Sequence, residues 1–192
     1  MVFFYLFFVT VTLQRICELI IAKQNEKWMK KQGAVEFGQA HYRAMVLIHF
    51  LFFLSFLSEV IFLKKVISPF WVVLLILFLI TQVVRIWALF SLGKYWNTKI
   101  LVLPETKVVK RGPYRFLKHP NYAIVTIELM IIPLLFQAYL TAIFFSILNM
   151  VILSVRIPAE EKALKELTNY DGEFENYKRF VPKMLKKCDK KC

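Results

Sequence analysis

The chain has 192 residues, of which 58% are hydrophobic and only 20% charged, and its mean hydropathy is +0.55. That balance excludes an ordinary soluble domain and describes an integral membrane protein. A net charge of +13 would fit a nucleic-acid binder, but no zinc spacing or nucleic-acid module accompanies it and the cations fall in blocks.

Residues 3–22 supply the roughly 20 apolar positions that cross a bilayer. With no basic leader and no small-residue cleavage site, this reads as a retained helix. Arg15 and Glu18 lie three apart on one face and can pair. Residues 23–43 read as a polar loop, 45–63 as a second span holding His49 and Glu59, and 70–90 as a third holding Gln82 and Arg85. A basic segment, 91–121, follows; its Ile100 to Leu103 stretch is apolar enough to enter the protein. Residues 122–157 read as a helical hairpin broken near 133–139, its first arm short for a full crossing. From Ala159 the pattern becomes an amphipathic surface helix with Leu164, Leu167, Phe174, Tyr177, Phe180 and Val181, then a Lys-rich tail. The expectation is one all-α polytopic domain of about five spans: 1–98, a catalytic part 99–183, and the tail 184–192.

Charge asymmetry orients it. With five crossings and the amino terminus outside, the three inside segments hold five, seven and nine Lys/Arg; the outside holds only Lys64 and Lys65. The basic excess is thereby assigned to topology and anionic lipid. Three cysteines, two of them in the tail, build no disulfide framework, and His41 and His49 lack a third ligand at metal spacing.

The most punctuated stretch is 111–122, Arg-Gly-Pro-Tyr-Arg-Phe-Leu-Lys-His-Pro-Asn-Tyr. Gly112 and Pro113 set a turn, and Pro120 starts a helix. Tyr114, Phe116 and Tyr122 recur among cations, as a pocket for a charged, partly flat ligand requires. A basic membrane-flanking loop with interfacial tyrosines explains the charge, but not the Gly-Pro and His-Pro pairs. Its counterpart is Arg156, ending the last apolar run, with Glu160 one turn on; Pro158 between them would bend or restart the helix. A snorkelling Arg and a surface Glu weigh evenly against a ligand-orienting pair. Glu161 is expected to face elsewhere and pair with Lys165. Arg15, Glu18, Glu59, Arg85 and Glu128 read as pairs tying spans together.

Gly112-x-Tyr114, His119-Pro-x-Tyr122 and Arg156-x-x-x-Glu160-Glu161, with Tyr177-x-x-Phe-Val-Pro182 after them, together resemble the isoprenylcysteine carboxyl methyltransferase family of membrane enzymes. The amino-terminal half, with Gln14-Arg15, Glu18, Asn25 to Trp28, Gly33, Glu36 and His41-Tyr42, resembles a bacterial branch that O-methylates alkylpyrones and alkylresorcinols. The resemblance implies S-adenosylmethionine as cofactor, contacted by Thr106, Lys107, Val108, Val109, Tyr114, His119, Pro120, Asn121, Tyr122 and Glu160. Arg156 would face a lipophilic acceptor in the membrane, with Arg156 and Glu160 as the catalytic pair on the cytoplasmic side. Lys118 stands where the family usually has Arg, and Ala123 follows Tyr122 without the Gly often found nearby. Competing readings are a prenylcysteine carboxyl methyltransferase, a phospholipid N-methyltransferase, and a non-enzymatic membrane scaffold or transporter.

Overall fold

The computed structural model describes residues 1–170 and 172. Five helices dominate: α1 (Val2–Lys31), α2 (Gln39–Phe62), α3 (Trp71–Leu92), α4 (Pro120–Leu134) and α5 (Tyr139–Leu167). Four of them, all but α4, are long and apolar enough to cross a membrane. With 15 residues, α4 rises only about 22 Å, short of a hydrocarbon core of about 30 Å. It is also the enclosed helix, burying Ile124, Glu128, Leu129, Ile131 and Ile132 between α3 and α5. The outer surface is apolar: Leu6, Leu13, Phe50, Leu54, Val83, Phe90, Leu140 and Phe144 all face outward, as lipid contact requires. This is an integral membrane protein.

Short elements at one end modify the all-helical expectation. β1 (Val35–Phe37) and β2 (Ile100–Val102) pair antiparallel, Val35 opposite Val102 and Phe37 opposite Ile100. The segments read as a polar loop and a basic segment are thus stitched together. Buried Ile100, Val102 and Ala163 pack with Phe37, Ala159, Leu164 and Leu167, so this ribbon docks on the end of α5.

Two helices outrun their sequence boundaries. α1 continues to Lys31, where its polar end is braced: Asn25 Nδ2 donates to Trp96 O at 2.7 Å, and Lys99 Nζ lies 2.7 Å from Glu26 Oε1 and 3.2 Å from Glu36 Oε1. α5 runs unbroken through Pro158 to Leu167 and does not restart there. Proline removes one ladder hydrogen bond and is disfavoured inside a helix; here the turn around it is packed, with Ile157 buried and Ala159 against the cluster of Ile100 and Val102. The rest of the expected amphipathic helix, Phe174, Tyr177, Phe180 and Val181, and the tail 184–192 lie outside the described residues.

The opposite end is an aromatic plug. Phe4 meets Phe56 edge-on at 5.4 Å and Phe136 edge-on at 5.1 Å, and Phe7, Phe52, Phe78 and Phe145 complete the cluster. The α4–α5 break falls where expected, with Gln137 at φ 54° and Ala138 N–H returning to Pro133 O at 2.9 Å. Glu59 of α2 turns in beneath it and accepts from the backbone N–H of Leu140 (3.2 Å) and Thr141 (2.8 Å). A carboxylate at a helix amino terminus satisfies donors that the helix itself cannot.

Between the two ends lies a charged layer. Arg85 Nε donates to Glu128 Oε1 at 3.1 Å, its Nη1 to Glu18 Oε2 at 3.1 Å, and its Nη2 to Glu128 Oε2. Arg15 reaches Glu18 at 2.8 Å and Glu128 at 2.5 Å, and Gln82 reaches Glu128 at 2.7 Å. Two arginines and two glutamates cancel in charge and tie α1, α3 and α4 together, the structural role that their positions inside spans implied.

Candidate active site

The motif 111–122 begins on a turn that only glycine fits. Gly112 has φ 56°, and a Cβ there would come within 1.9 Å of Ser91 Oγ and 2.9 Å of Trp87 Nε1. The loop therefore lies directly on the end of α3. The 3-10 turn Gly112–Arg115 that follows buries Tyr114 against Ala88 and Ile124. Tyr114 Oη has no partner among the described residues. Burial, with the nearby Glu160 charge, pushes its phenol well above the usual range, so it stays protonated.

His119 caps α4 and Pro120 takes the first helical position, where its missing N–H costs nothing. That start directs Tyr122 toward α5. Arg156, 2% exposed, donates from Nε to Tyr122 Oη at 2.9 Å and from Nη2 to Thr98 O. Tyr122 Oη in turn donates to Glu160 Oε2. The i, i+4 pair on α5 is therefore joined through the phenol of α4. Arg156 Nη1 is buried and has no partner among the described residues. No carboxylate among the described residues pairs with it directly.

Glu161 faces a different partner from Glu160, as expected, and its partners include a residue outside α5. It is 9% exposed and its Oε1 lies 3.1 Å from Nε2 of His119, itself 5% exposed. Where one turn of α5 passes against α4, consecutive glutamates serve different partners: Glu160 takes Tyr122 and Glu161 takes His119. A periodicity argument on α5 alone misses this, because the partner belongs to another helix.

The remaining implied contacts sit apart from this chain of bonds. Thr106 to Val109 form irregular backbone after β2, and Thr106 Oγ1 donates to Leu103 O at 2.7 Å. Thr106 and Lys107 line an open depression of about 470 Å³ with Glu105, Glu166 and Thr168. Asn121 follows Pro120, its Oδ1 buried and unpartnered among the described residues. Lys118 Nζ sits 5.5 Å from the Tyr170 ring centroid, a cation–π contact that an ammonium makes without the fork of an arginine.

Sequence reasoning missed Thr98, whose carbonyl receives Arg156, and gave Tyr42 no part at this site. The Tyr42 ring centroid is 6.0 Å from Arg156 Cζ, and that of Tyr122 is 5.9 Å. The signal for Tyr42 was the His41-Tyr42 pair itself; Thr98 acts through its backbone and leaves no trace in residue type.

Tyr114 Oη, Asn121 Oδ1 and Arg156 Nη1, three buried polar atoms of the two motifs, thus lack partners among the described residues. Buried polar groups in native proteins are nearly always satisfied, so these atoms keep capacity for a polar ligand, and the mix of phenol, amide and cation suits a zwitterionic one.

Comparison with known proteins gives the family. The model of the isoprenylcysteine carboxyl methyltransferase family matches residues 73–166. The chain is 53% identical over 163 residues to the uncharacterized protein YpbQ of Bacillus subtilis (strain 168), covering 85% of this chain and 97% of that protein. It is 26% identical over 168 residues to an uncharacterized protein of Haemophilus influenzae, covering 87% and 98%. No solved structure matches. With its spans and the order of its motifs, the chain belongs to the isoprenylcysteine carboxyl methyltransferase family, membrane methyltransferases whose general methyl donor is S-adenosylmethionine.

Proposed function

We propose that the protein transfers a methyl group from S-adenosylmethionine to an oxygen of a lipophilic, membrane-dissolved acceptor, most plainly the acidic hydroxyl of an alkylpyrone or related phenolic lipid. The observation that carries this reading is Arg156: a buried cation at the end of an apolar span, with one nitrogen lacking a partner. Tyr114, Asn121, His119, Tyr122 and Glu160 would hold the cofactor, with Thr106 to Val109 contributing backbone from the preceding loop.

Bound S-adenosylmethionine supplies an electrophilic methyl carbon on a sulfonium that leaves as a neutral thioether. The protein's contribution is alignment, because an in-line displacement between held reactants is accelerated mainly by position. Arg156 Nη1 donates to the acceptor oxygen, stabilises it as an anion and aims it. An acidic hydroxyl ionises readily beside such a cation, so no strong general base is required. The Tyr122 ring presents a face suited to a cation, and its hydroxyl holds Arg156 and Glu160 in register. The surrounding apolar helices keep water from competing with the acceptor. The basic end of the bundle, which carries this site, faces the cytoplasm in this reading.

The test is transfer of labelled methyl from S-adenosylmethionine in membranes containing the protein. Acceptors are an alkylpyrone, an alkylresorcinol, a prenylcysteine analogue and phosphatidylethanolamine. Base-stable label on the pyrone or resorcinol supports the proposal. Label released as methanol by mild base identifies a carboxyl ester and moves the acceptor to the prenylcysteine class. Label on phosphatidylethanolamine, or absence of both transfer and cofactor binding, overturns it.

A further inference from the structure

Arg156 is gripped by three segments. The Tyr122 phenol accepts its Nε–H from α4, and the Thr98 carbonyl accepts from Nη2 just before β2. Tyr42, near the start of α2, presents its ring 6.0 Å from the guanidinium carbon, while Tyr122 presents its ring at 5.9 Å. Two aromatic faces and two oxygen acceptors leave Nη1 as the guanidinium nitrogen without a partner.

Tyr42 is itself fixed. Its hydroxyl lies 3.4 Å from Thr98 Oγ1, and Lys99 Nζ sits 5.4 Å from its ring centroid. Lys99 is held by Glu26 and Glu36, and Lys30 joins both carboxylates at 2.6 and 2.7 Å. A continuous set of contacts therefore runs from the polar end of α1, through β1 and Lys99, to Tyr42 and the guanidinium. Gly38, at φ 64°, precedes α2 in a left-handed conformation, and a Cβ added there would lie 3.4 Å from Ile100 Cδ1 of β2 and 3.3 Å from His41 Nδ1, so the first turn of α2 starts beside β2. All of this precedes residue 73, or lies in the loop that α1 braces.

We infer that Tyr42 is a positioning residue of the methyl-transfer site, clamping Arg156 from the amino-terminal half so that Nη1 faces the acceptor. A long arginine side chain has many rotamers, and holding one of them by packing removes an ordering cost from the reaction. A ring face supplies this without competing for Nη1, whereas a carboxylate in its place would pair with the guanidinium and quench it. The inference rests on the reading of Arg156 as the acceptor-facing cation.

The test uses the full-length protein in detergent, with wild type, Tyr42→Leu, Tyr42→Phe, Arg156→Ala and the double variant Y42L/R156A. Transfer to the alkylpyrone, S-adenosylmethionine affinity and melting temperature are measured for each. Tyr42→Leu should lower kcat by up to about 10²-fold, the scale of a mispositioned catalytic group, with cofactor affinity unchanged. Tyr42→Phe should recover most of the loss, since the ring and not the hydroxyl is the clamp. In the double variant, Tyr42→Leu should add no further loss. Unchanged kcat in Tyr42→Leu, equal loss in Tyr42→Phe, or losses that add to those of Arg156→Ala would each overturn the inference. If Arg156→Ala transfers as well as wild type, or wild type transfers nothing, the failure belongs to the functional reading. The clamp is then judged by melting temperature: non-additive shifts across the four variants sustain it, and additive ones end it.

Discussion

Two buried arginines in this bundle are solved in opposite ways. Arg85 has each guanidinium nitrogen on a carboxylate, from Glu128 and Glu18, in a layer whose charges cancel. Arg156 is buried as deeply, yet its hydrogen bonds among the described residues go to a phenol and a carbonyl, rings flank it, and Nη1 has no partner there. A buried charge without a counter-ion is costly, and a chain that keeps one is holding capacity for something else. Burial alone does not distinguish structure from function in a membrane protein; how completely a polar group is satisfied does.

The largest effect should come from the satisfied layer. Glu128→Leu strands Arg85 and Arg15 and is expected to cost about 3–5 kcal/mol, read as a large fall in melting temperature and yield in detergent. Glu128→Leu combined with Arg85→Met should recover most of that loss, since the leftover Arg15–Glu18 pair is neutral. If the single variant were as stable as wild type, the contrast between the two arginines would collapse.

Arg156→Ala should do the reverse. The fold and cofactor affinity persist while transfer falls about 10²–10³-fold, the scale of removing one oxyanion donor. Equal loss of cofactor binding would instead make Arg156 part of the cofactor site. Gly112→Ala comes next, because a Cβ 1.9 Å from Ser91 Oγ at a positive φ must push the loop off α3. About 1–3 kcal/mol of stability should go with it, together with weaker cofactor binding measured by equilibrium titration.

Smaller effects test the braces. Glu59→Gln keeps one carbonyl acceptor for the start of α5 but removes the charge, costing about 0.5–1 kcal/mol by thermal unfolding. The smallest is the pH response of the Lys99 brace. Hydrogen bonding from Lys30, joined by Lys99, holds the Glu36 carboxyl below its usual value against the effect of burial. The hydrogen bond to Glu26, joined by one to Glu36, raises Lys99 against the same effect. Glu36 thus contributes above the ordinary Glu pKa of about 4.3 and loses that contribution as pH falls through its depressed value. Lys99 contributes below about 10.4 and loses that contribution as pH rises through its elevated value. Melting temperature should be flat in this respect between about pH 5 and 10 and fall slightly outside, less so at high salt.

Much of this was legible in the chain because the bilayer is a strict solvent. Lipid forces long apolar runs and punishes unpaired charges, so residues 3–22, 45–63 and 70–90 announced their helices, and Arg15, Glu18, Arg85 and Glu128 announced a network. The Gly-Pro and His-Pro pairs of 111–122 marked a turn and a helix start, because those residues restrict backbone angles locally. What could not be read were encounters between distant segments. Nothing in Val35–Phe37 or Ile100–Val102 says that they pair, since three-residue strands carry almost no periodic signal. Pro158 looked like a break because proline is one locally; the helix continues through it with Ile157 buried and Ala159 packed by β2.

The sequence by itself determined the membrane class, the apolar helical segments, the motif order and the family, all properties of composition and short spacing. The tertiary structure decided which polar atoms end with partners and which do not: Tyr122 between Arg156 and Glu160, Glu161 on His119, Thr98 and Tyr42 on the guanidinium. Satisfaction of a buried group depends on which atoms from far along the chain arrive within hydrogen-bonding distance, and local spacing does not encode that.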